Sequence, residues 1–137
     1  LEVVYCSFRN HLARSILCKN RGVLIENNNF LQVDGMAVEV APERAWREGV
    51  SSSDIIIRRN RMVYCRWGGV EIKVDTKEPN GTSIKNILIE DNLIDCPHSP
   101  KGIMVRDSEN VTIRRNKVIS GGENYLISNC KNLDLSE

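Results

Sequence analysis

The stretch Ile57-Arg58-Arg59-Asn60-Arg61-Met62 decides the fold, because its pattern returns along the whole chain. The pattern is an apolar residue, two polar residues, Asn, any residue and a second apolar residue. It recurs as Ile25-Glu-Asn-Asn28-Asn-Phe30, Ile89-Glu-Asp-Asn92-Leu-Ile94 and Ile113-Arg-Arg-Asn116-Lys-Val118. Val3-Val-Tyr-Cys6-Ser-Phe8 is a degenerate first copy. The asparagines lie 32, 32 and 24 residues apart, and Cys6 precedes Asn28 by 22. Self-similarity at such a period is the signature of a solenoid, in which each repeat is one unit stacked on the next.

A second phrase follows each copy: Ser15-Ile-Leu-Cys18, Gly35-Met-Ala-Val-Glu-Val40, Gly69-Val-Glu-Ile-Lys-Val74, Gly102-Ile-Met-Val105 and Tyr125-Leu-Ile-Ser128. These segments alternate with period two, as strands do. Each repeat therefore holds two or more short strands separated by turns, in a coil of about 22–24 residues. The expected fold is all-β: a right-handed parallel β-helix of about five coils, forming one domain over residues 1–137. Equivalent residues of successive coils should stack about 4.8 Å apart. Asn tolerates left-handed turns and bonds to its own kind along a stack, so Asn28, Asn60, Asn92 and Asn116 read as a structural ladder. Glu26, Arg58, Glu90 and Arg114 read as an outward row of alternating charge. Cys18 is expected in an inward row with Val38, Ile72 and Val105, and Cys65 and Cys96 at nearly the same turn of adjacent coils.

Composition narrows the function classes. The net charge is +1, from 19 basic and 18 acidic residues, and the basic residues are scattered. That balance argues against nucleic acid as a partner. No apolar run reaches the roughly 18 residues of a membrane span. Five cysteines, an odd number without a CxxC, read as small buried thiols rather than a disulfide scaffold or zinc site. No metal and no cofactor is expected. His11 and His98 have no partner at nucleophile or metal spacing. Asn80-Gly-Thr and Asn110-Val-Thr match the glycosylation sequon.

Function is sought where the repeat is interrupted. Inserted loops at 42–53 and 75–83 follow the second phrase on consecutive coils, so both should leave one edge of the stack. Beside them lies the outward face of the second strand, with Glu39, Glu71, Lys73, Met104 and Arg106. Two carboxylates flanking a bond are the equipment for glycoside hydrolysis. With Met36 over Val70, Glu39 and Glu71 are diagonal neighbours about 7–8 Å apart, within the roughly 6.5–9.5 Å of an inverting mechanism. With Val38 over Val70 they stack directly at about 4.8 Å. The competing reading pairs both with Lys73 or Arg106 on a solvated face. Glu48 is a reserve carboxylate, and Trp46 and Trp67 are candidates to stack on sugar rings.

The residues from Ser15 to Asn60 carry a family likeness. Gly22-Val-Leu-Ile-Glu-Asn-Asn-Asn-Phe30, Gly35-Met-Ala-Val-Glu-Val40, Trp46-Arg-Glu48-Gly49 and Asp54-Ile-Ile-Ile-Arg-Arg-Asn60 together resemble the β-helix of glycoside hydrolase family 110. The resemblance implies an inverting exo-acting α-1,3-galactosidase acting on terminal galactose. On the reading of that face and its loops, Glu39, Glu71 and Glu48 are the candidate catalytic residues, with Trp46, Trp67, Lys73 and Arg106 as candidate substrate-binding residues. The alternative is a non-catalytic β-helix segment of a surface or tail-fibre protein, structural or carbohydrate-binding. The expected partner is carbohydrate, in an extracellular or periplasmic setting. Leu1-Glu-Val-Val opens within a strand and Leu133-Asp-Leu135 begins another coil, so the chain reads as a piece of a longer β-helix. Its uncapped coils would then be prone to end-to-end self-association.

Overall fold

The computed structural model describes residues 1–42, 52–74 and 83–136. Each coil contributes three short strands. The first holds β1 (Glu2–Val4), β2 (Ser7–His11) and β3 (Ile16–Cys18); the second holds β4 (Arg21–Glu26), β5 (Asn29–Val33) and β6 (Met36–Val40). The third holds β7 (Ser53–Arg58), β8 (Arg61–Val63) and β9 (Gly68–Ile72). Next come β10 (Ile84–Glu90), β11 (Leu93–Cys96), β12 (Lys101–Arg114), β13 (Lys117–Ser120) and β14 (Glu123–Ser136). β12 turns a corner at Asp107, where φ is 56°. Its first half pairs with β9 and its second half with β10. β14 bends likewise at Asn129. Every strand pairing among the described residues is parallel, and each joins neighbouring coils. The strands form one nine-stranded and one five-stranded sheet, the curled walls expected for stacked coils.

The inside of the coil is a set of apolar rows. Val3, Ile25, Ile57, Ile89 and Ile113 are successive partners on one wall. The last four are fully buried, each contributing about 1.5–3 kcal/mol of apolar burial. On the second wall Phe8 and Phe30 stack with ring centroids 4.9 Å apart, and Met62 and Ile94 continue the row. The third wall stacks Ile16, Val38, Val70 and Ile103 beside Cys18, Val40, Ile72 and Val105. Cys18 thus shares its row with Val40, not Val38. Strand alternation separates Val38 and Val40 by one full period, and the parallel register, which the sequence does not print, selects between them.

The asparagine ladder is present and buried. Asn28 Nδ2 donates to Asn60 Oδ1, Asn60 Nδ2 to Asn92 Oδ1 and Asn92 Nδ2 to Asn116 Oδ1, at 2.9–3.0 Å. Each amide also donates to a carbonyl of the preceding coil: Val3, Ile25, Ile57 and Ile89. Each Oδ1 accepts the backbone N–H of the preceding rung, beginning with Cys6. The rungs do not themselves take left-handed dihedrals. That conformation falls on the residue before each one: Tyr5, Asn27, Arg59, Asp91 and Arg115, with φ of 51–56°. The left-handed residue makes the corner and projects outward, so the next side chain turns into the coil, where its amide meets its counterparts. Cys6 occupies the first rung position with its side chain exposed, which departs from the expectation of five buried cysteines.

A second row of left-handed residues was not foreseen. Gly22, Asp54, Asn86, Asn110 and Asn132 all have positive φ. The last four form an exposed ladder: Asn86 donates to Asp54 (2.9 Å), Asn110 to Asn86 (3.1 Å) and Asn132 to Asn110 (2.7 Å). Asn110 thus uses its amide within this row. The charged row pairs in twos, Arg58 with Glu26 and Arg114 with Glu90 (2.8 Å), reinforced by Arg115 on Glu90 (2.9 Å).

Candidate functional site

The outward face of the third wall carries the row Leu17, Glu39, Glu71, Met104 and Leu126. Val38 lies over Val70, so Glu39 and Glu71 are direct partners and the diagonal register does not occur. Both are buried, at 7% and 3% exposure, so the face is not the solvated one expected of paired surface charges. Their carboxylates take separate cations. Glu39 Oε2 accepts Arg14 Nε at 3.0 Å from the preceding coil. Glu71 Oε1 accepts Lys101 Nζ at 3.1 Å from the following coil and Lys73 Nζ at 3.3 Å from its own. Lys101 also touches Met104 Sδ at 3.8 Å, its aliphatic stem lying along the row as long cationic side chains do.

One oxygen is left over: Glu71 Oε2 is buried with no hydrogen-bond partner. Arg106 Nε is also buried without a partner. Arg106 follows Val105, the partner of Ile72, which sets it beside Lys73. The expected pairing of a glutamate with Lys73 is therefore observed, and the other partners are Lys101 and Arg14, which the sequence did not suggest. Both come from neighbouring coils, 30 and 25 residues away in the chain, at distances only the stacking creates.

Glu39 also faces a hollow of about 420 Å³ with Leu12, Ala13, Arg14, Asp34, Gly35, Met36 and Trp67. Trp67 is 48% exposed. Its backbone N–H donates to Gly35 O at 3.2 Å. The Arg66 guanidinium lies 5.8 Å from the ring centroid and donates to Asp34 at 3.0 Å. Two candidates, Glu39 and Trp67, thus share one cavity; Glu71 is the next member of the Glu39 row, and Lys73 and Arg106 lie two residues further along their strands. Trp46 and Glu48, with most of both inserted loops, lie outside the described residues.

Two further hollows were not anticipated. One, of about 390 Å³, runs along the exposed ladder and includes Asp54, Ile56, Asn86, Leu88 and Asn110. The other, of about 180 Å³, is lined by Tyr64, Cys65, Arg66, Cys96, His98 and Ser99. His11, assigned no partner from spacing, meets Ser15 Oγ through Nε2 at 2.8 Å. Among the described residues no group of three or more His, Cys, Asp or Glu side chains is placed to hold a metal ion, and no helix is long and apolar enough to cross a membrane.

No curated protein sequence matches the chain. The profile of the right handed beta helix region, in contrast, matches residues 1–137 from end to end. With its parallel coils and stacked asparagines, this chain belongs to that right-handed β-helix family.

Proposed function

We propose that this β-helix recognises carbohydrate, seating a sugar ring in the hollow between Trp67 and Glu39. The observation that carries the reading is the composition of that hollow. A half-exposed indole stands beside two carboxylates, Asp34 and Glu39, and the Arg14 guanidinium. An aromatic face suits the apolar side of a sugar ring, and fixed charged groups suit its hydroxyls. At about 420 Å³ the hollow falls within the range of small-ligand sites, roughly 300–1,000 Å³. Trp67 is anchored through its backbone N–H to Gly35 O and through Arg66 to Asp34, contacts that favour a preformed hollow. An extracellular or periplasmic setting is part of the same proposal.

A second reading, hydrolysis of a terminal α-galactoside, is favoured by one specific observation. Glu39 and Glu71 occupy adjacent coils in direct register, and Glu39 faces the hollow. In that reading Glu39 acts on the bound sugar and Glu71 is the second carboxylate. Against it, each carboxylate is already held by cations.

Binding is tested by titrating the chain with galactose-terminated and unrelated oligosaccharides under calorimetry. Trp67→Ala should weaken binding by roughly tenfold or more, as loss of an aromatic anchor does. Unchanged affinity in Trp67→Ala removes the hollow from the function. The same ligands as aryl glycosides, incubated with wild type, Glu39→Gln and Glu71→Gln, test hydrolysis. Turnover that falls less than tenfold in both variants removes these carboxylates from the chemistry.

A further inference from the structure

We infer that Cys65 and Cys96 form an oxidisable dithiol, closed to a disulfide by a small hydroperoxide that enters the hollow beside them. The pair lies on the β8–β11 wall, around the corner from the carboxylate row, and does not depend on that reading. Cys65 follows β8 and Cys96 ends β11. These strands are parallel neighbours, with Val63 partnered by Asp95. That register sets Cys96 opposite Tyr64 and Cys65 one residue further on; about 4.8 Å across and at most about 3.3 Å along the strand keeps the pair within the Cα separation of about 4.4–6.8 Å that a disulfide spans. Both thiols are free and buried, at 1% exposure. Cys65 N–H donates to Cys96 Sγ at 3.3 Å, and the Cys96 thiol lies 3.7 Å from Met62 O.

The pair is not walled off. Both cysteines line the hollow of about 180 Å³ whose rim carries Tyr64, Arg66 and His98, all exposed. That volume admits a hydroperoxide and excludes a protein oxidant. The two sulfurs are also unequal. The bond from the Cys65 thiol holds the Cys96 thiol below its ordinary value, against burial and the nearby Asp95. The same bond, with burial, pushes the Cys65 thiol far up. The geometry agrees: the Cys65 backbone N–H points at Cys96 Sγ, so Cys96 is the sulfur with a donor to support a thiolate. Thiolate character decides which sulfur attacks.

The reaction balances without another participant. The Cys96 thiolate attacks a peroxide oxygen, the O–O bond breaks, and the departing oxygen takes a proton as water or an alcohol. Cys96 is left as a sulfenic acid. Cys65 sulfur attacks Cys96 sulfur, the S–O bond breaks, and hydroxide leaves with the Cys65 proton as water. Two thiols and one hydroperoxide give one disulfide, one alcohol or water, and one water. The product ties the third coil to the fourth across the β8–β11 wall.

The experiment treats the folded chain with hydrogen peroxide, removes the peroxide, unfolds the chain in denaturant, blocks remaining thiols with a maleimide, and maps peptides without reduction. The expected result is a Cys65–Cys96 cross-linked peptide lacking two hydrogens and lost on adding dithiothreitol, with Cys18 and Cys130 still maleimide-labelled. The melting temperature of the oxidised chain should rise and return on reduction. In Cys65→Ser, Cys96 should stop at a sulfenic acid trapped by a dimedone-type reagent. If exposed Cys6 oxidises while Cys65 and Cys96 both remain thiols, the inference is overturned. A sulfinic acid on Cys96 in the wild-type chain, without the cross-link, overturns it equally. The wild-type map decides the matter even if the serine variant does not fold.

Discussion

Asn60 at the centre of the internal ladder is the most informative residue to truncate. It is 2% exposed and its amide takes part in four hydrogen bonds. It donates to Ile25 O and Asn92 Oδ1 and accepts from the backbone N–H and Nδ2 of Asn28, each at 3.0 Å. Asn60→Ala removes all four at once and leaves the buried Asn28 N–H without its acceptor. At about 1 kcal/mol net per bond, with the orphaned N–H nearer the upper end, the loss is about 4 kcal/mol. Against a total of about 5–15 kcal/mol for a domain, that is a large share. Asn116 is the last rung, with three such bonds and 9% exposure, so Asn116→Ala should cost less. Asn29→Ala serves as the control, because among the described residues its side chain hydrogen-bonds to the exposed Arg61 guanidinium, and it should change stability by no more than about 0.5 kcal/mol. Urea unfolding measures all three, with the midpoint falling and the slope unchanged if only native-state bonds are lost. If Asn60→Ala lies within about 1 kcal/mol of Asn29→Ala, the ladder does not carry the stability assigned to it.

Three other outcomes follow from the same coordinates. A Cβ on Gly102 would sit 2.2 Å from Val118 Cγ1 and 2.8 Å from Asn124 O, so Gly102→Ala should cost about 1–3 kcal/mol by overpacking, read from the same urea curves. The Arg115 hydrogen bond and charge hold the Asp91 carboxyl below its usual range. A lowered folded value gives stability that is full above the unfolded carboxylate value of about 4 and is lost as pH falls through the folded one. Asp91→Asn should therefore flatten the acid limb of a stability–pH profile, and an identical limb contradicts the pairing. Burial raises the Cys18 and Cys130 thiols above their ordinary value, whereas Cys6 is exposed. Timed maleimide labelling of the folded chain should modify Cys6 first and Cys18 only on unfolding; early loss of the Cys18 thiol refutes its burial.

The sequence alone determined the coil, its strands and the identity of the ladder, because these depend on short patterns repeated at a fixed period. Ile25, Ile57, Ile89 and Ile113 announce an inward row, and the asparagines three residues later announce its corner. What the period does not encode is register, since one wall admits shifts of two residues without turning any side chain over. That is why Glu39 over Glu71 remained one of two arrangements, and why Cys18 was aligned with Val38 instead of Val40. The left-handed corners were also displaced by one position, because the conformation that turns the chain and the side chain that fills the turn belong to neighbouring residues. Asp54, Asn86, Asn110 and Asn132 escaped notice because each sits in a different local phrase and they meet only in space. The cations on Glu39 and Glu71 were decided by tertiary structure for the same reason, whereas Cys65 and Cys96 were already expected at nearly the same turn of adjacent coils. Arg14 and Lys101 come from different coils, and only stacking brings groups so distant along the chain within reach of a hydrogen bond.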